Sequence, residues 1–445
     1  VQLYYIQLFR LLEPTRGSKL FNMTRKVDLN RLGIVSFNKQ YKWRRAMTNN
    51  KEKRIGILTG GGDVPGLNPA LRAIKIRSRG EGYQLIGIRR GWAGLVDLIR
   101  DKDADNSKNY EFISEEVMNR AGRTGGTYLH SSRTNPSKIK KSEVPPMYQD
   151  KYHDDINDLT PEILKNIDFL GLDYLIAIGG DDTLSYAVRL FREGVKVLGI
   201  PKTMDNDVPG TDYCIGFSTC VTRTISLTNN LRTIAGSHER LLILEVFGRY
   251  AGFTALLPTM AGAANRCVIP EYKFNIDRLT ELMLFDRDCN PSCYSVALVS
   301  EGAMFAGGEM IYANMETDSY GHAKLGGIGE LVAAAVKDIS PRFNNGKKVS
   351  VVEQKLGYMV RGGEPGAIDS IVPMAFGNLA LDLILKGIHG RLVVLKDGRY
   401  DNVSLDIVTS TNKVVDVEQF YDTDRYRPKY ENFEMKPLFI MTSEK

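Results

Sequence analysis

The chain is poor in cysteine. Among its 445 residues are five cysteines, and none of them belongs to a CxxC motif. Proteins held together by disulfides usually show more cysteines at regular spacing, so a secreted disulfide framework is disfavoured. We therefore expect reduced thiols and a cytoplasmic, intracellular protein.

The sequence also lacks long apolar runs, internal repeats and an excess of charge of one sign. No run approaches the roughly 18 apolar residues of a membrane-spanning helix, so we expect no membrane span. The net charge is +6, and Lys and Arg are interleaved with Asp and Glu along the chain. Such interleaving argues against a nucleic-acid-binding surface, but it is compatible with an anionic small substrate.

The first fifty residues differ in composition from the rest of the chain. They begin apolar and turn basic, and Glu13 is the only acidic residue in the first 26 positions. An organelle-targeting peptide, a docking arm and a mispredicted gene start all fit this composition. We treat residues 1–50 as an N-terminal extension.

From Arg54 onward, short apolar segments alternate with segments of helical period. The first strand-like segment is RIGILTGG, and the first helix-like segment is NPALRAIKIRSRG. The alternation pauses in a charged stretch from Asp101 to about Thr160, which we interpret as a loop, and then resumes. This alternation predicts an α/β fold with mainly parallel sheets, and the length of the chain favours two domains over one.

Glycines and polar residues fall where the predicted strands end, and this edge binds ligands in α/β proteins. The segment TGGGDVPGLN has three consecutive glycines before a helix, which suits close approach of a phosphate. A flexible turn would have a similar composition, and the segment matches neither the dinucleotide fingerprint nor the Walker loop. A second segment, RAGRTGGTYLHSSR, suits either a polyphosphate or a solvated basic loop.

Two further strand ends carry carboxylates. In IGGDDT, two glycines are followed at once by Asp181 and Asp182, although a phosphate at such a turn would be repelled by them. The segment GIPKTMDNDVPGTD supplies Lys202, Asp205 and Asp207 together with a threonine hydroxyl. A capped turn could use some of these residues, but a general base beside a hydroxyl and a cation needs all of them.

Later strand ends add Arg240, Arg249, Glu301 and Arg361. Each of these charges alone is more often a surface residue than a ligand contact. Several arginines that converge with carboxylates at one edge of α/β sheets, however, are typical of a site for a phosphorylated sugar.

Taken in order, these motifs resemble the phosphofructokinase family. The series is GGGDVPGLN, GGTYLHSSR, GGDDT, PKTMDND, SHER, EVFGR, SEG and RGGEP, and it extends from about Arg54 to about Ile388. The resemblance implies two Rossmann-like three-layer domains with the active site between them. It also implies transfer of a phosphoryl group to the 1-hydroxyl of fructose 6-phosphate, assisted by Mg²⁺.

The resemblance assigns roles to individual residues. It makes Asp205 the catalytic base, with Thr203 and Arg249 acting on the transferred group, and it places Mg²⁺ beside Asp181 and Asp207. The other implied site residues are Lys202 as a catalytic and donor-binding group, Gly61, Gly62, Gly180 and Asp182 for the donor, and Arg240, Phe247, Gly248, Glu301, Tyr358 and Arg361 for the sugar phosphate.

The identity of the phosphoryl donor follows from two positions. ATP-using members of the family have glycine where this chain has Asp182 and Lys202. Two like charges about 4 Å apart repel by roughly 4 kcal/mol at an effective dielectric of about 20, which corresponds to roughly a thousandfold in affinity. Pyrophosphate has no ribose or base to place near Asp182, so the pair resembles the pyrophosphate-dependent branch of the family.

The resemblance also implies an arrangement of domains and subunits. The donor domain would comprise residues 51–214 and 361–410, and the fructose 6-phosphate domain residues 215–360 and 411–445. Arg240 would reach into the site of a neighbouring subunit, so we expect a homodimer or homotetramer.

Three alternatives stay open from the sequence. The first is an ATP-dependent 6-phosphofructokinase. The second is an NAD or lipid kinase sharing the GGDxT turn, which is disfavoured because such enzymes lack PKTMDND and EVFGR. The third is a non-catalytic regulatory subunit, which is disfavoured because every acidic and arginine residue that we can place is present.

Overall fold

The computed structural model of the protein describes residues 53–317, 320, 323–434, 436 and 442–444. The predicted extension, residues 1–50, lies outside these described residues. Eleven strands of the described part form two main sheets. They are β1 Lys53–Thr59, β2 Tyr83–Ile88, β3 Tyr110–Phe112, β4 Tyr174–Gly179, β5 Val197–Pro201, β6 Leu241–Val246, β7 Arg266–Val268, β8 Ser295–Ser300, β9 Val351–Lys355, β10 Arg391–Lys396 and β11 Arg399–Ser404.

The longer helices lie mostly between these strands, as the alternating sequence pattern predicts. They are α1 Leu67–Gly80, α2 Thr160–Leu170, α3 Asp181–Arg192, α4 Phe217–Ser237, α5 Phe253–Met260, α6 Ile276–Cys289, α7 Ile328–Ile339 and α8 Ile368–Leu385. A twelfth strand, β12 Lys413–Val415, pairs antiparallel with Thr442–Glu444 outside the main sheets. Shorter helices occupy Ala93–Val96, Glu115–Ala121, Ile407–Ser410 and Val417–Phe420.

The first sheet has seven strands in the order β11-β10-β5-β4-β1-β2-β3. Its central strands are parallel, and only the edge strands β3 and β11 pair antiparallel. The second sheet has four strands in the order β9-β6-β8-β7, and all its pairs are parallel. The predicted α/β fold with mainly parallel sheets is therefore confirmed.

The first sheet is buried on both faces. In β4, Ile176 and Ile178 pack in the cluster that contains Leu71 of α1, whereas Leu175 and Ala177 pack in a separate cluster with α2 and α3. Side chains of successive strand residues point to opposite faces, so a strand covered on both sides reads as one apolar run. This explains why YLIAI contains no polar residue.

The core cluster on the α1 side of the first sheet continues into the second sheet. It joins Ile55 of β1 to Leu242 of β6 and Leu298 of β8 through buried apolar residues. By its internal contacts, the chain from residue 52 onward forms one compact unit. The strands of each sheet fall within the segments predicted for the two domains, but the domain boundaries themselves stay a prediction.

Helix α8 is long and apolar enough by composition to cross a membrane, with a mean hydropathy of 1.5 over 18 residues, of which 50% are buried. Asp369 in its first turn is completely buried. The Asp369 carboxylate accepts hydrogen bonds from the backbone of Gly216 and Thr219 and from the hydroxyls of Thr219 and Tyr213. Helix α8 also packs along α1. It therefore has the contacts of a core helix.

The charged stretch that we predicted as a loop contains strand β3 and a helix over Glu115–Ala121. Its end is anchored by Glu162 of α2, whose side chain is 3% exposed and pairs with Arg100 at 2.7 Å, Lys151 at 2.5 Å and Lys165 at 3.2 Å. Burial by itself raises the pKa of Glu162, but hydrogen bonds from the three cations outweigh it and lower the pKa to about 2. This buried carboxylate ties the end of the segment to helix α2 through Lys151.

We predict that Glu162→Gln lowers the free energy of unfolding by about 1–3 kcal/mol at pH 7, because the three cations lose their shared partner. The folded-state pKa lies below the unfolded value, so this contribution is present above about pH 4.5 and is lost as the pH falls toward 2. Urea titrations at pH 7 and near pH 3 measure the difference. The control is Glu116→Gln, because the ion pair of Glu116 with Arg120 is exposed; an equal loss in both variants would contradict the prediction.

Candidate active site

The carboxyl ends of both sheets meet at one cleft of about 170 Å³. Turns after β1, β4 and β5 supply one wall, and turns after β6, β8 and β9 supply the other. The lining contains most of the predicted site residues, namely Gly61, Gly62, Gly180, Asp181, Asp182, Lys202, Thr203, Asp205, Asp207, Phe247, Arg249, Glu301 and Arg361. Residues more than 290 positions apart in the chain therefore face one another.

The turn after β1 approaches its neighbours too closely for side chains. A Cβ atom added at Gly60 would lie 2.4 Å from Oγ1 of Thr183, and Gly61 has a φ of +76°, in the left-handed region. The Gly61 N–H donates to the carbonyl of Ser132 at 3.0 Å. These contacts fix a backbone turn before the amino end of α1, where a phosphate can approach the main chain.

Lys202 lies beneath this glycine-rich turn. Its side chain is buried, with 3% of the residue exposed, and its Nζ donates a hydrogen bond to the Gly62 carbonyl at 2.6 Å. Burial and the nearby Arg361 guanidinium lower the pKa of Lys202 to about 8. The sequence led us to expect an ammonium directed at the donor. The structure shows that this ammonium also supports the turn that would receive the donor.

Asp181 and Asp182 occupy the first turn of α3, directly after Gly180. The amino end of a helix carries a partial positive charge that favours carboxylates as well as phosphates. Both aspartates line the cleft, and Asp181 is more exposed than Asp182. Protein carboxylates therefore occupy the amino end of a helix, a position that in other proteins binds phosphate.

Asp205 follows β5 in a tight turn. Its N–H donates to Oγ1 of Thr203 at 3.2 Å, and the Arg249 N–H approaches its Oδ2 at 3.4 Å. Burial, reinforced by the carboxylate of Glu301, raises the pKa of Asp205 to about 7, and Arg249 partly opposes this rise. A carboxylate with this pKa can both accept and release a proton near neutral pH.

The neighbouring Asn206 reverses the backbone, with a φ of 56°, and is almost completely buried. Its side chain donates to the Asp212 carbonyl at 3.0 Å and accepts from the Cys214 N–H at 2.8 Å. Asp207 beyond it has a buried Oδ1 atom with no hydrogen-bond partner among the described residues. Burial and the adjacent Asp205 raise the pKa of Asp207.

The carboxylates of the cleft fit a magnesium ion that is shared with a substrate. Asp181 and Asp207 supply hard oxygen ligands, and the buried Oδ1 atom of Asp207 has no hydrogen-bond partner among the described residues. The described residues contain no group of three or more His, Cys, Asp or Glu side chains that could hold a metal by themselves. Mg²⁺ is usually bound by one or two carboxylates together with substrate phosphates, so this donor set is compatible with it.

Arg361 follows β9 of the second sheet and contacts the glycine-rich turn after β1. Its Nε and Nη2 donate to Oδ1 of Asp63 at 3.1 and 2.5 Å, and its guanidinium lies 3.2 Å from the Cβ position of Gly62. The resemblance implied that Arg361 contacts the sugar phosphate. In the structure this guanidinium joins the two walls of the cleft, and its role toward the sugar stays a prediction.

Three predicted residues do not line the cleft, namely Arg240, Gly248 and Tyr358. Arg240 precedes β6, whereas the cleft lies at its other end, about 20 Å away at roughly 3.3 Å per residue. Arg240 therefore does not contact the cleft of its own chain, and its role in the site of a neighbouring subunit stays a prediction. Gly248 turns the chain beneath Ser300, and the 75% exposed Tyr358 stacks against Arg361 at 5.2 Å.

The structure adds residues that the sequence reasoning did not assign. Asp63 belongs to the motif TGGGDVPGLN and Arg133 to the motif RAGRTGGTYLHSSR, so the sequence already pointed to the segments that contain them. Thr183 and Tyr250 directly follow predicted site residues. The full additional lining is Asp63, Val64, Arg133, Thr183, Met204 and Tyr250.

Comparison with known proteins identifies the family of the chain. A profile of the family "Phosphofructokinase" matches residues 54–384. The chain belongs to the phosphofructokinase family. It is 38% identical over 375 residues to a pyrophosphate–fructose 6-phosphate 1-phosphotransferase of Amycolatopsis mediterranei, with 83% of this chain and 98% of the relative covered.

Members that use different donors are similarly close. The chain is 34% identical to an ATP-dependent 6-phosphofructokinase of Chloroflexus aurantiacus over 349 residues, which are 78% of this chain and 88% of the relative. The structure of a pyrophosphate-dependent phosphofructokinase from Marinobacter aquaeolei superposes with a TM-score of 0.63 at 19% identity, with 88% and 93% of the two chains covered. This superposition supports the fold.

We predict that Lys202→Met loosens the glycine-rich turn, because the Gly62 carbonyl loses its charged hydrogen-bond donor. Loss of such a bond is expected to lower the free energy of local opening by roughly 1.4 kcal/mol. Amide exchange in residues 59–68 should therefore become about tenfold faster. Hydrogen–deuterium exchange with mass spectrometry measures this effect. Lys196→Met, at an exposed position before the same strand, is the control; equal exchange in both variants would refute the supporting role.

Proposed function

We propose that this protein catalyses the reversible, Mg²⁺-dependent transfer of a phosphoryl group from inorganic pyrophosphate to the 1-hydroxyl of fructose 6-phosphate. The products are fructose 1,6-bisphosphate and orthophosphate, and the reversible reaction would serve glycolysis and gluconeogenesis. The observation that carries the proposal is the placement of Asp182 and Lys202 at the donor end of a cleft that also contains Asp205. The similarity to pyrophosphate-dependent relatives supports the same activity.

The proposed mechanism is an in-line transfer that depends on positioning and on charge neutralisation. The sugar oxygen forms a bond to the terminal phosphorus of pyrophosphate, the bond to the bridging oxygen breaks, and orthophosphate leaves. Asp205 accepts the proton of the sugar hydroxyl. Arg249 lies at the turn beside Asp205 and neutralises charge that develops on the transferred group.

The other residues of the cleft hold the two substrates. Lys202 keeps the turn of Gly61 and Gly62 in place for the donor, and Glu301 accepts hydrogen bonds from sugar hydroxyls. Mg²⁺, when bound beside Asp181 and Asp207, would neutralise negative charge on the donor phosphates. The proposal includes a homo-oligomer, because Arg240 lies too far from the cleft of its own subunit to contact the substrate there.

An ATP-dependent 6-phosphofructokinase is the second candidate, because ATP-dependent relatives are 34% identical to this chain. In that enzyme, Asp182 would have to turn away from the ribose and the inner phosphate of the nucleotide. Its position in the cleft lining favours pyrophosphate instead.

We predict that one preparation uses magnesium pyrophosphate far better than MgATP. Repulsion of roughly 4 kcal/mol between Asp182 and the nucleotide corresponds to about a thousandfold in kcat/KM. A coupled assay of fructose 1,6-bisphosphate formation with each donor measures the ratio.

The double variant Asp182→Gly and Lys202→Gly should gain use of ATP, and the single variant Asp182→Gly is its control for loosening of the turn. Equal use of both donors by the unmodified enzyme would disprove the donor assignment. A double variant that gains no ATP activity would show that other residues set the preference.

We predict that Asp205→Ala lowers kcat by about 10²–10⁴-fold, the usual contribution of a general base, while binding of fructose 6-phosphate is nearly unchanged. The base must be unprotonated, so kcat/KM of the unmodified enzyme should rise as the pH increases through about 7, the pKa of Asp205. Steady-state kinetics from pH 5.5 to 9 and equilibrium binding of the sugar phosphate test both parts. Normal turnover by the variant would exclude Asp205 as the base.

A further inference from the structure

A buried lysine, outside the residues that match the family profile, lies close to the chain segment that follows the turn of Asp205 and Asp207. Lys413 begins β12, beyond residue 384, where the match to the family ends. Only 3% of this residue is exposed. Lysine is rarely buried without compensation, because an ammonium loses its hydration in the protein interior. The groups that surround Lys413 therefore define its role.

The Nζ atom of Lys413 contacts the chain segment that follows Asp205 and Asp207. It donates a hydrogen bond to the Thr211 carbonyl at 2.7 Å and lies 5.6 Å from the centre of the Phe253 ring. The negatively charged groups that it influences are Asp207 and Asp212, both on this segment. Lys413 thus offsets negative charge on this segment.

The segment that Lys413 contacts is connected by a short chain of hydrogen bonds to the turn that contains Asp205 and Asp207. The Asp212 N–H donates to the Leu395 carbonyl at 2.7 Å, and the Leu395 N–H donates to Oγ1 of Thr211 at 3.1 Å. The Asp212 carbonyl in turn accepts from the side chain of Asn206 at 3.0 Å. A shift of Thr211 or Asp212 would therefore move Asn206, which lies between the two aspartates.

Lys413 also faces a second cavity, of about 840 Å³, beside the active-site cleft. Asp181, Asp207 and Tyr250 line both spaces. Lys413 and Asp207 consequently border the same cavity, whose lining does not include Arg249. Within the lining of this cavity Lys413 is the only Lys or Arg side chain, whereas five residues are acidic.

We propose that Lys413 is a positioning residue for phosphoryl transfer. Its ammonium holds the Thr211 carbonyl and compensates the charges of Asp207 and Asp212, so that the turn keeps Asp205 directed at the reacting hydroxyl. This inference rests on the proposed function, and it assigns part of the catalytic geometry to a C-terminal segment that the family motifs do not include.

The test compares Lys413→Met with Val415→Ala. Val415 is a buried residue of the same strand and lines the same cavity, but its side chain has no charge, so its truncation reports general loosening. Lys413→Met should lower kcat by about 10–100-fold with little change in either KM, because the substrates contact other residues. At matched thermal stability, Val415→Ala should keep the kcat of the unmodified enzyme.

Two further variants separate the charge from the hydrogen bond. Lys413→Arg keeps the charge and should restore most of the kcat. Lys413→Gln keeps a donor for the Thr211 carbonyl without the charge, and it should show a loss similar to that of Lys413→Met. If Lys413→Met does not fold, the kcat of Lys413→Gln tests the inference in its place.

The inference is overturned if Lys413→Met or Lys413→Gln keeps kcat within twofold, or if Val415→Ala loses as much as Lys413→Met. Each variant is compared with the unmodified enzyme on whichever donor that enzyme uses. An enzyme that prefers ATP would refute the proposed donor and leave this comparison valid. Normal pyrophosphate-dependent turnover in Lys413→Met would refute only the role of Lys413.

Discussion

The arrangement of the site depends on the crowding of negative charge in a small space. Six carboxylates and four cationic side chains line one cleft of about 170 Å³, and its substrates would bring further negative charge. The carboxylates are Asp63, Asp181, Asp182, Asp205, Asp207 and Glu301, and the cations are Arg133, Lys202, Arg249 and Arg361. Like charges in a partly dehydrated cleft repel strongly, so each carboxylate needs a cation, a helix end or a proton.

The carboxylates of the cleft differ in how their negative charge is compensated. Asp63 is paired with Arg361, and Asp181 and Asp182 lie at the amino end of α3. Burial and the carboxylate of Glu301 raise the pKa of Asp205 to about 7. The residue that would accept a proton in the reaction is thus one whose charged form the surrounding structure disfavours. One of the cations also supports the backbone, because Nζ of Lys202 donates a hydrogen bond to the Gly62 carbonyl.

Much of the fold could be predicted from sequence because local patterns determine it. The run YLIAI predicts a strand covered on both faces, and the strand ends identify the edge at which the site lies. Contacts between distant segments could not be predicted in this way. The Arg361–Asp63 pair joins residues 298 positions apart, and the Lys202–Gly62 bond joins residues 140 positions apart. The stretch from Asp101 to Thr160 was predicted as a loop, because strand β3 and the helix over Glu115–Ala121 are too short to leave a clear period.

The continuous core beneath both sheets has a mechanical consequence. Apolar side chains from Ile55 to Leu298 form one cluster, so a hinge motion that separated the two sheets would expose them to water. Opening and closing by rigid-body rotation of two lobes is therefore costly in this chain.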